Sequence, residues 1–262
     1  MDLPVAAAPI ALALSRAASD VLGPRLLSFV AYGSAVTGDI LPGYSDFDVA
    51  MAVRGLITLH DALSLEAVTG ELDIAPFNYC QPKFLDVTAA DAVLVPKTFV
   101  VVVGHDPPPA WIFSAPQLRT SGEQWLAGLP AVLAHDAADW SFTTSASRPR
   151  QARLHLTRVK PSLRALLVHH GCDPVTTWSA TWAQLGKRLA EVDAQAAGQL
   201  GDLLASSQAR DDRAVAVAAL RLTDRICLHH PEAITSASTG VSANPPERTT
   251  PNTSTGHPPS SQ

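Results

Sequence analysis

The chain has no surplus of basic residues, which argues against a protein that grips long nucleic acid. Its 262 residues include 19 Lys or Arg and 24 Asp or Glu, so the formal net charge at pH 7 is −5. Proteins that bind long DNA or RNA usually carry a strong excess of Lys and Arg. A polymeric nucleic acid is therefore not the expected substrate, although a local basic groove would be compatible with this charge.

Cysteine is also scarce. The three cysteines are an odd number, lie far apart and form no CxxC pair, at Cys80, Cys172 and Cys227. This usage is typical of small buried side chains in a reducing compartment. Several histidines are isolated too and fit no spacing typical of a metal site, namely His60, His105 and His135.

Long apolar runs are missing as well. No stretch reaches the roughly 18 apolar residues that a membrane-spanning helix needs. The apolar run Val5–Leu14 has the length of a signal-peptide core, but Asp2 precedes it and the first basic residue, Arg16, comes after it. A secretory signal requires basic residues before the apolar run. We therefore expect this segment to be a helix that packs on a sheet, in a cytoplasmic protein without membrane contact.

What the sequence does contain predicts an α+β fold, with a catalytic domain over 1–108 and an α-helical domain over 109–234. In the first region, helical segments near 5–22 and 58–69 alternate with four predicted strands, at Leu26–Tyr32, Asp46–Val53, Glu71–Asn78 and Thr98–Val103. The segment 104–109 contains three consecutive prolines, which continue neither a helix nor a strand. It is the expected domain boundary.

The region after this boundary shows helical spacing up to about residue 232. Gln151–His170 is predicted to be a helix that ends at Gly171 and is kinked or split by Pro161. Two further helices are expected, over 176–206 and 211–229. In the last segment, 235–262, 21 of the 28 residues are Ser, Thr, Pro, Gly or Asn, so the segment buries too little apolar surface to offset its ordering entropy. It is predicted to be a disordered tail.

One segment carries a pattern with chemical meaning. Gly33 and Ser34 end the first predicted strand, and Asp46 and Asp48 open the second one after a spacer of eleven residues. Residues two apart on a strand point to the same face, so both carboxylates are expected side by side. Carboxylate oxygens are ligands that Mg²⁺ prefers, and a glycine-containing turn after a strand suits phosphate oxygens. Together they predict a site for a metal ion and a phosphorylated ligand.

The run YGS–x10–SDFDVAM resembles the signature of the nucleotidyltransferases of the DNA-polymerase-β superfamily, over residues 22–80. Its short spacer is similar to that of the minimal nucleotidyltransferases and the aminoglycoside adenylyltransferases. The resemblance implies two Mg²⁺ ions held by Asp46, Asp48 and a third carboxylate on the following strand, and a triphosphate, by default ATP, held by Gly33 and Ser34. Asp73 is the expected third ligand, with Glu71 on the same predicted face as the alternative.

The resemblance implies an adenylyltransferase that moves AMP from ATP to a hydroxyl of a small acceptor and releases pyrophosphate. An aminoglycoside-like acceptor, and with it antibiotic resistance, is the first expectation. Two alternatives remain open at this stage: an adenylyltransferase that modifies a partner protein in a toxin–antitoxin pair, and a module that senses nucleotide without turnover. Arg164 and His169 are expected on a solvated helix face, although Lys160 and Arg164 are also candidates for contacting the triphosphate.

Overall fold

The computed structural model describes residues 2–86 and 92–240, and these form an α+β fold. Within these ranges the chain has one four-stranded sheet, ten α-helices and two short 3-10 helices, at Gly23–Arg25 and Pro109–Trp111. The strands are β1 (Leu26–Tyr32), β2 (Phe47–Val53), β3 (Cys80–Asp86) and β4 (Phe99–Gly104). The helices of the first half are α1 (Ala8–Leu22), α2 (Ser34–Thr37) and α3 (Leu59–Thr69). Those of the second half are α4 (Ala115–Ser141), α5 (Arg148–His169), α6 (Pro174–Trp178), α7 (Trp182–Val192), α8 (Ala194–Gln208), α9 (Asp212–His229) and α10 (Pro231–Gly240).

The sheet is mixed, with the strand order β3-β2-β1-β4. β1 lies between β2 and β4 and is antiparallel to both, whereas β2 and β3 are parallel. On β2 the side chains alternate as the sequence predicts. Phe47, Val49 and Met51 enter an apolar core shared with α1, while Ala50 packs in a separate cluster on the opposite face, the face to which Asp48 belongs. The expectation that the apolar N-terminal segment packs on the sheet is confirmed.

The third predicted strand is wrong. Residues 71–78 form turns, because local hydrogen bonds replace a strand ladder there. The carboxylate of Asp73 accepts a bond from the N–H of Ala75 at 3.0 Å, and the N–H of Phe77 donates to the carbonyl of Ile74 at 2.9 Å. Side-chain-to-backbone bonds of this kind compete with sheet pairing, and Pro76 has no N–H to contribute. The strand begins instead at Cys80 and pairs Gln81 with Asp48.

The helical half builds its own core from apolar residues of α4, α5 and α7–α10. Its central helix α5 continues through Pro161, so the predicted split does not occur, and Gly171 follows its end with a φ of +89°, as predicted.

The prediction of a single helix over 176–206 is wrong. Thr181 and Asp193 accept hydrogen bonds from the backbone N–H groups that follow them and so start new helices, which divides this range among α6, α7 and α8.

The predicted start of the disordered tail is also wrong. The helix α10 extends over Pro231–Gly240 and therefore includes 235–240. Pro231 occupies the first turn, where its missing N–H costs nothing, and Ala233 is fully buried against the helical core. The rest of the predicted tail, 241–262, lies outside the described residues. Among the residues that are described, no helix is both long and apolar enough to cross a membrane.

Candidate nucleotide and metal site

The two predicted aspartates lie at the start of β2 and line a cavity between the sheet and the helical half. The cavity has a volume of about 460 Å³ and is also lined by Gly33 and Ser34. Asp46 precedes the first residue of β2 and Asp48 is its second residue. The structure therefore brings together four of the five site residues that the sequence predicts.

Gly33 fits tightly against one of these carboxylates. Its φ is +69°, a region that favours glycine, and a Cβ atom placed on it would lie 2.7 Å from Oδ2 of Asp48. The hydroxyl of Ser34 donates to the carbonyl of Asp46 at 3.1 Å. In this structure the Ser34 hydroxyl therefore ties the turn after β1 to the start of β2, and the main chain of the turn lies next to the carboxylate pair.

The carboxylate pair lies in a partly dehydrated environment. Burial raises the pKa of both groups; the pKa of Asp48 reaches about 7, because the charge of Asp46 adds to the effect of burial. Arg153 of α5 moderates the effect on Asp46, with its Nη1 3.5 Å from Oδ1 of Asp46. This Oδ1 is buried and accepts no hydrogen bond from the residues that the structure describes.

These features fit a divalent cation. Two adjacent carboxylates of raised pKa gain from a bound positive charge beyond the ion pair that Arg153 forms with Asp46. Asp46 and Asp48 are therefore the residues that could hold Mg²⁺, which prefers one or two carboxylates together with phosphate oxygens.

Helix α5 supplies two cationic side chains, Lys160 and Arg164, to the lining of the same cavity. Lys160 forms a close ion pair with Asp39, and only 16% of its side chain is exposed. Burial, together with the neighbouring Arg164, lowers the pKa of Lys160 to about 8. Arg164 donates to the carbonyl of Ala180 at 3.2 Å, while its buried Nε has no hydrogen-bond partner among the described residues. Asp39 thus pairs with Lys160, and its charge also acts on the guanidinium of Arg164.

Two tryptophan rings form cation–π contacts with these side chains. The Nζ of Lys160 lies 5.0 Å from the ring centre of Trp182, and the guanidinium of Arg164 lies 5.9 Å from that of Trp178. The expectation that Arg164 lies on a solvated helix face is wrong, because the side chain lines the cavity and is largely covered. His169, five residues further on, is exposed.

The fifth predicted site residue lies elsewhere. Asp73 is exposed in the turn that precedes β3, and neither Asp73 nor Glu71 is among the described residues that line the cavity. The positions next to Asp48 on the neighbouring strand belong to Gln81 and Lys83, which do line it. The prediction placed Asp73 on a strand at 71–78, but the strand that pairs with β2 begins later, at Cys80. Because 71–78 is not a strand, the reason for expecting Asp73 beside Asp48 no longer holds.

Arg153, Asp39 and Gln81 were not predicted from sequence as site residues, whereas Lys160 and Arg164 were already candidates for contacting the triphosphate. Arg153, Lys160 and Arg164 lie seven and four residues apart on α5, a spacing that places them on one helical face and could have been noticed. No local pattern identifies Asp39 or Gln81, since their roles depend on partners that are distant in sequence.

Comparison of the chain with models of known protein families, with curated proteins and with solved structures gave no match.

Proposed function

We propose that this protein binds a nucleoside triphosphate together with Mg²⁺ and transfers the nucleoside monophosphate to an acceptor hydroxyl. One observation carries the proposal: two carboxylates, a glycine turn and two buried cations face one cavity. Asp46 and Asp48 would hold the metal, which when bound neutralises phosphate charge and polarises the phosphorus centre. Lys160 and Arg164, which line the same cavity, would contact the triphosphate.

The chain's own residues have separable roles in this proposal. Gly33 has no side chain, so the turn after β1 packs against the Asp48 carboxylate, and a phosphate on the metal that Asp48 would hold lies next to this turn. Lys160 and Arg164 neutralise charge on the leaving pyrophosphate, in a site where burial strengthens each interaction. The acceptor oxygen bonds to the α-phosphorus, the bond to the bridging oxygen breaks, pyrophosphate leaves and the hydroxyl proton passes to solvent.

The volume of the cavity favours a small acceptor over a polymer. About 460 Å³ is in the range typical of small-molecule sites. A hydroxylated acceptor of the aminoglycoside kind therefore remains our first proposal. The decisive assay incubates the full chain with Mg²⁺ and ATP labelled at the α-phosphate, together with aminoglycosides, RNAs and candidate protein acceptors. Label transfer that requires Asp46 and Asp48 supports the proposal, and transfer that persists in Asp48→Asn contradicts it.

A second candidate function has an observation in its favour. The position opposite Asp48 on β3 holds Gln81, where the resemblance implies a third carboxylate on the strand after β2. An amide is a weaker metal ligand than a carboxylate and accepts no proton at neutral pH. This favours a module that binds metal and nucleotide without turnover, as a sensor.

Substitution at this position distinguishes the two functions. If the chain is a sensor, wild type binds nucleotide without transferring label, and Gln81→Glu introduces slow transfer by supplying a third carboxylate. If the chain is an enzyme, wild type transfers label to at least one acceptor. Gln124→Glu is the control, because it introduces the same charge on α4 at an exposed residue that does not line the cavity.

A further inference from the structure

Three side chains of types that can bind a metal ion lie close together at one end of the helical half. They are far along the chain from the aspartate pair. His170 follows the last residue of α5, His230 lies between α9 and α10, and Glu232 is in the first turn of α10. One ligand atom of each lies within 4.8 Å of the other two. The Nε2 of His170 is 3.3 Å from the Nδ1 of His230, which in turn is 3.6 Å from Oε1 of Glu232.

These separations match the edges of a metal coordination sphere. Zinc binds imidazole nitrogen and carboxylate oxygen at about 2.0–2.2 Å, in tetrahedral geometry. Two ligands at this distance from one ion and at the tetrahedral angle are roughly 3.4 Å apart. The two measured separations that involve His230 therefore need little adjustment to accommodate an ion.

A buried carboxylate fixes the orientation of the central histidine. Oδ2 of Asp193 lies 3.3 Å from Nε2 of His230, and both side chains are buried. If Nε2 donates its proton to this carboxylate, Nδ1 keeps its lone pair and directs it towards His170 and Glu232. Metal-binding histidines usually have such a carboxylate on their other nitrogen, where it sets the tautomer and strengthens the ligand.

Asp193 is itself held in place. Arg225 donates to both of its oxygens at 2.7 Å, and the N–H groups of Gln195 and Ala196 donate to Oδ1. Burial disfavours the charged form, but the bonds from Arg225 and Ala196 outweigh burial and hold the pKa of Asp193 below its usual range. The charged carboxylate of Asp193 is therefore fixed in position and orients the His230 ring through its Nε2 atom.

We propose that His170, His230 and Glu232 bind a zinc ion, which fastens α10 to the end of α5. Two imidazoles and one carboxylate suit zinc better than magnesium, which prefers oxygen ligands. The three ligands leave one position for water. With the lone pair of His230 on Nδ1, the 3.3 Å contact requires His170 to donate from Nε2 in the metal-free protein, so metal binding moves the proton of the neutral His170 ring to Nδ1. The site is independent of the nucleotide site and of the proposed transfer reaction.

The test is a titration of the full chain with Zn²⁺. Binding is measured by calorimetry, and stabilisation by the change in melting temperature. The Asp46→Asn/Asp48→Asn background removes the other carboxylate pair that attracts divalent ions. In this background, Zn²⁺ at about 100 times its Kd should raise the melting temperature by about 5 °C or more. Co²⁺ should show the visible absorption of a tetrahedral site.

Matched variants decide whether the ion binds at this site. His170→Ala should weaken Zn²⁺ binding by about 100-fold and Glu232→Gln by about tenfold. His169→Ala removes the adjacent exposed histidine, whose ring packs edge-to-face against that of His170, and should change the affinity less than either ligand variant. Glu232 is exposed, so Glu232→Gln should leave the fold intact. This variant therefore tests the site even if His170→Ala disturbs the fold. Equal affinity in His170→Ala, Glu232→Gln and His169→Ala, or no zinc binding at all, would overturn the proposal.

Discussion

Gly33 and Asp48 are in direct contact across the junction of β1 and β2, so that a Cβ atom on Gly33 would lie 2.7 Å from Oδ2 of Asp48. The glycine thus allows the turn after β1 and the carboxylate to occupy adjacent positions. Because Gly33 also has a positive φ, a substitution there acts through both the backbone and the carboxylate, and a control is needed to separate the two effects.

The first prediction concerns this contact. Gly33→Ala should lower the free energy of unfolding by about 1 kcal/mol or more because of its positive φ, and should weaken Mg·ATP binding at least tenfold by displacing Asp48. Gly55→Ala is the control, since Gly55 has a φ of +78° and, apart from its chain neighbours, none of the described residues lies within 4 Å of an added Cβ. It should destabilise the protein without affecting binding, as measured by denaturant unfolding and calorimetry. Equal losses of binding in the two variants would contradict the assigned role of the contact.

The second prediction concerns repulsion between the carboxylates. In the protein without ligand, Asp48→Asn should raise the melting temperature by about 1–3 °C, because it removes a buried charge next to Asp46. It should also abolish the stabilisation by Mg·ATP. Asp46→Asn should raise the melting temperature less, since it leaves Arg153 without its partner.

Asp73→Asn is the control for these carboxylate variants. The side chain is exposed outside the cavity, so both the melting temperature and the response to Mg·ATP should stay close to those of wild type. Loss of the Mg·ATP response in Asp73→Asn would show that the turn before β3 takes part in the site after all.

The third prediction is a pH dependence of triphosphate binding. The pKa of Lys160 is lowered to about 8, and the charged groups that face it are Arg164 on its own helix and Asp39 from the loop after α2. Above pH 8 the free protein loses the charge on Lys160, so binding must take up a proton and becomes weaker. We expect the affinity for Mg·ATP to fall about tenfold between pH 7.5 and pH 9.5. This figure assumes that the charged Lys160 contributes roughly 1.5 kcal/mol to binding through one hydrogen bond to phosphate. Lys160→Arg should remove most of this fall, and an unchanged pH profile in that variant would exclude Lys160 as its cause.

The fourth prediction concerns the start of α3. Asp61 accepts hydrogen bonds from the N–H and hydroxyl of Thr58 and from Arg25, and these bonds lower its pKa. A carboxyl with a lowered folded-state pKa stabilises the fold above its unfolded pKa, near 3.9, and this contribution is lost as pH falls through the folded-state pKa. Asp61→Asn should therefore lower the melting temperature by about 2–4 °C at pH 7, and less below pH 4. Glu66→Gln, an exposed change on the same helix, should have little effect at either pH.

The sequence predicted the parts of the site that depend on local periodicity. The strand Leu26–Tyr32 and the placement of Asp46 and Asp48 on one face follow from an apolar run and from the two-residue alternation of β2. The third strand was misplaced because the apolar residues of 71–78 belong to turns, whereas the real strand, β3, contains Gln81, Pro82 and Lys83 and looks polar. Such a strand is recognised only through its pairing with β2.

Contacts between distant segments account for the other misses. The ion pair of Lys160 with Asp39 joins residues 121 positions apart, and His170 meets His230 across 60 positions. Periodicity carries no information about such pairs, because they depend on how the helical half folds onto the sheet. The helical spacing in the sequence does indicate which face of α5 carries Arg153, Lys160 and Arg164, but not that this face borders a cavity.

The most direct test of the central claim is calorimetric titration of the full chain with ATP, in Mg²⁺ and in EDTA. The comparison is between wild type and the Asp46→Asn/Asp48→Asn variant. The proposed site predicts binding by wild type that requires Mg²⁺, with affinity reduced at least 100-fold in the double variant, equivalent to about 2.7 kcal/mol. Equal affinity in wild type and the double variant, or no ATP binding by the folded wild type in the presence of Mg²⁺, would contradict the claim that these two aspartates form a nucleotide and metal site.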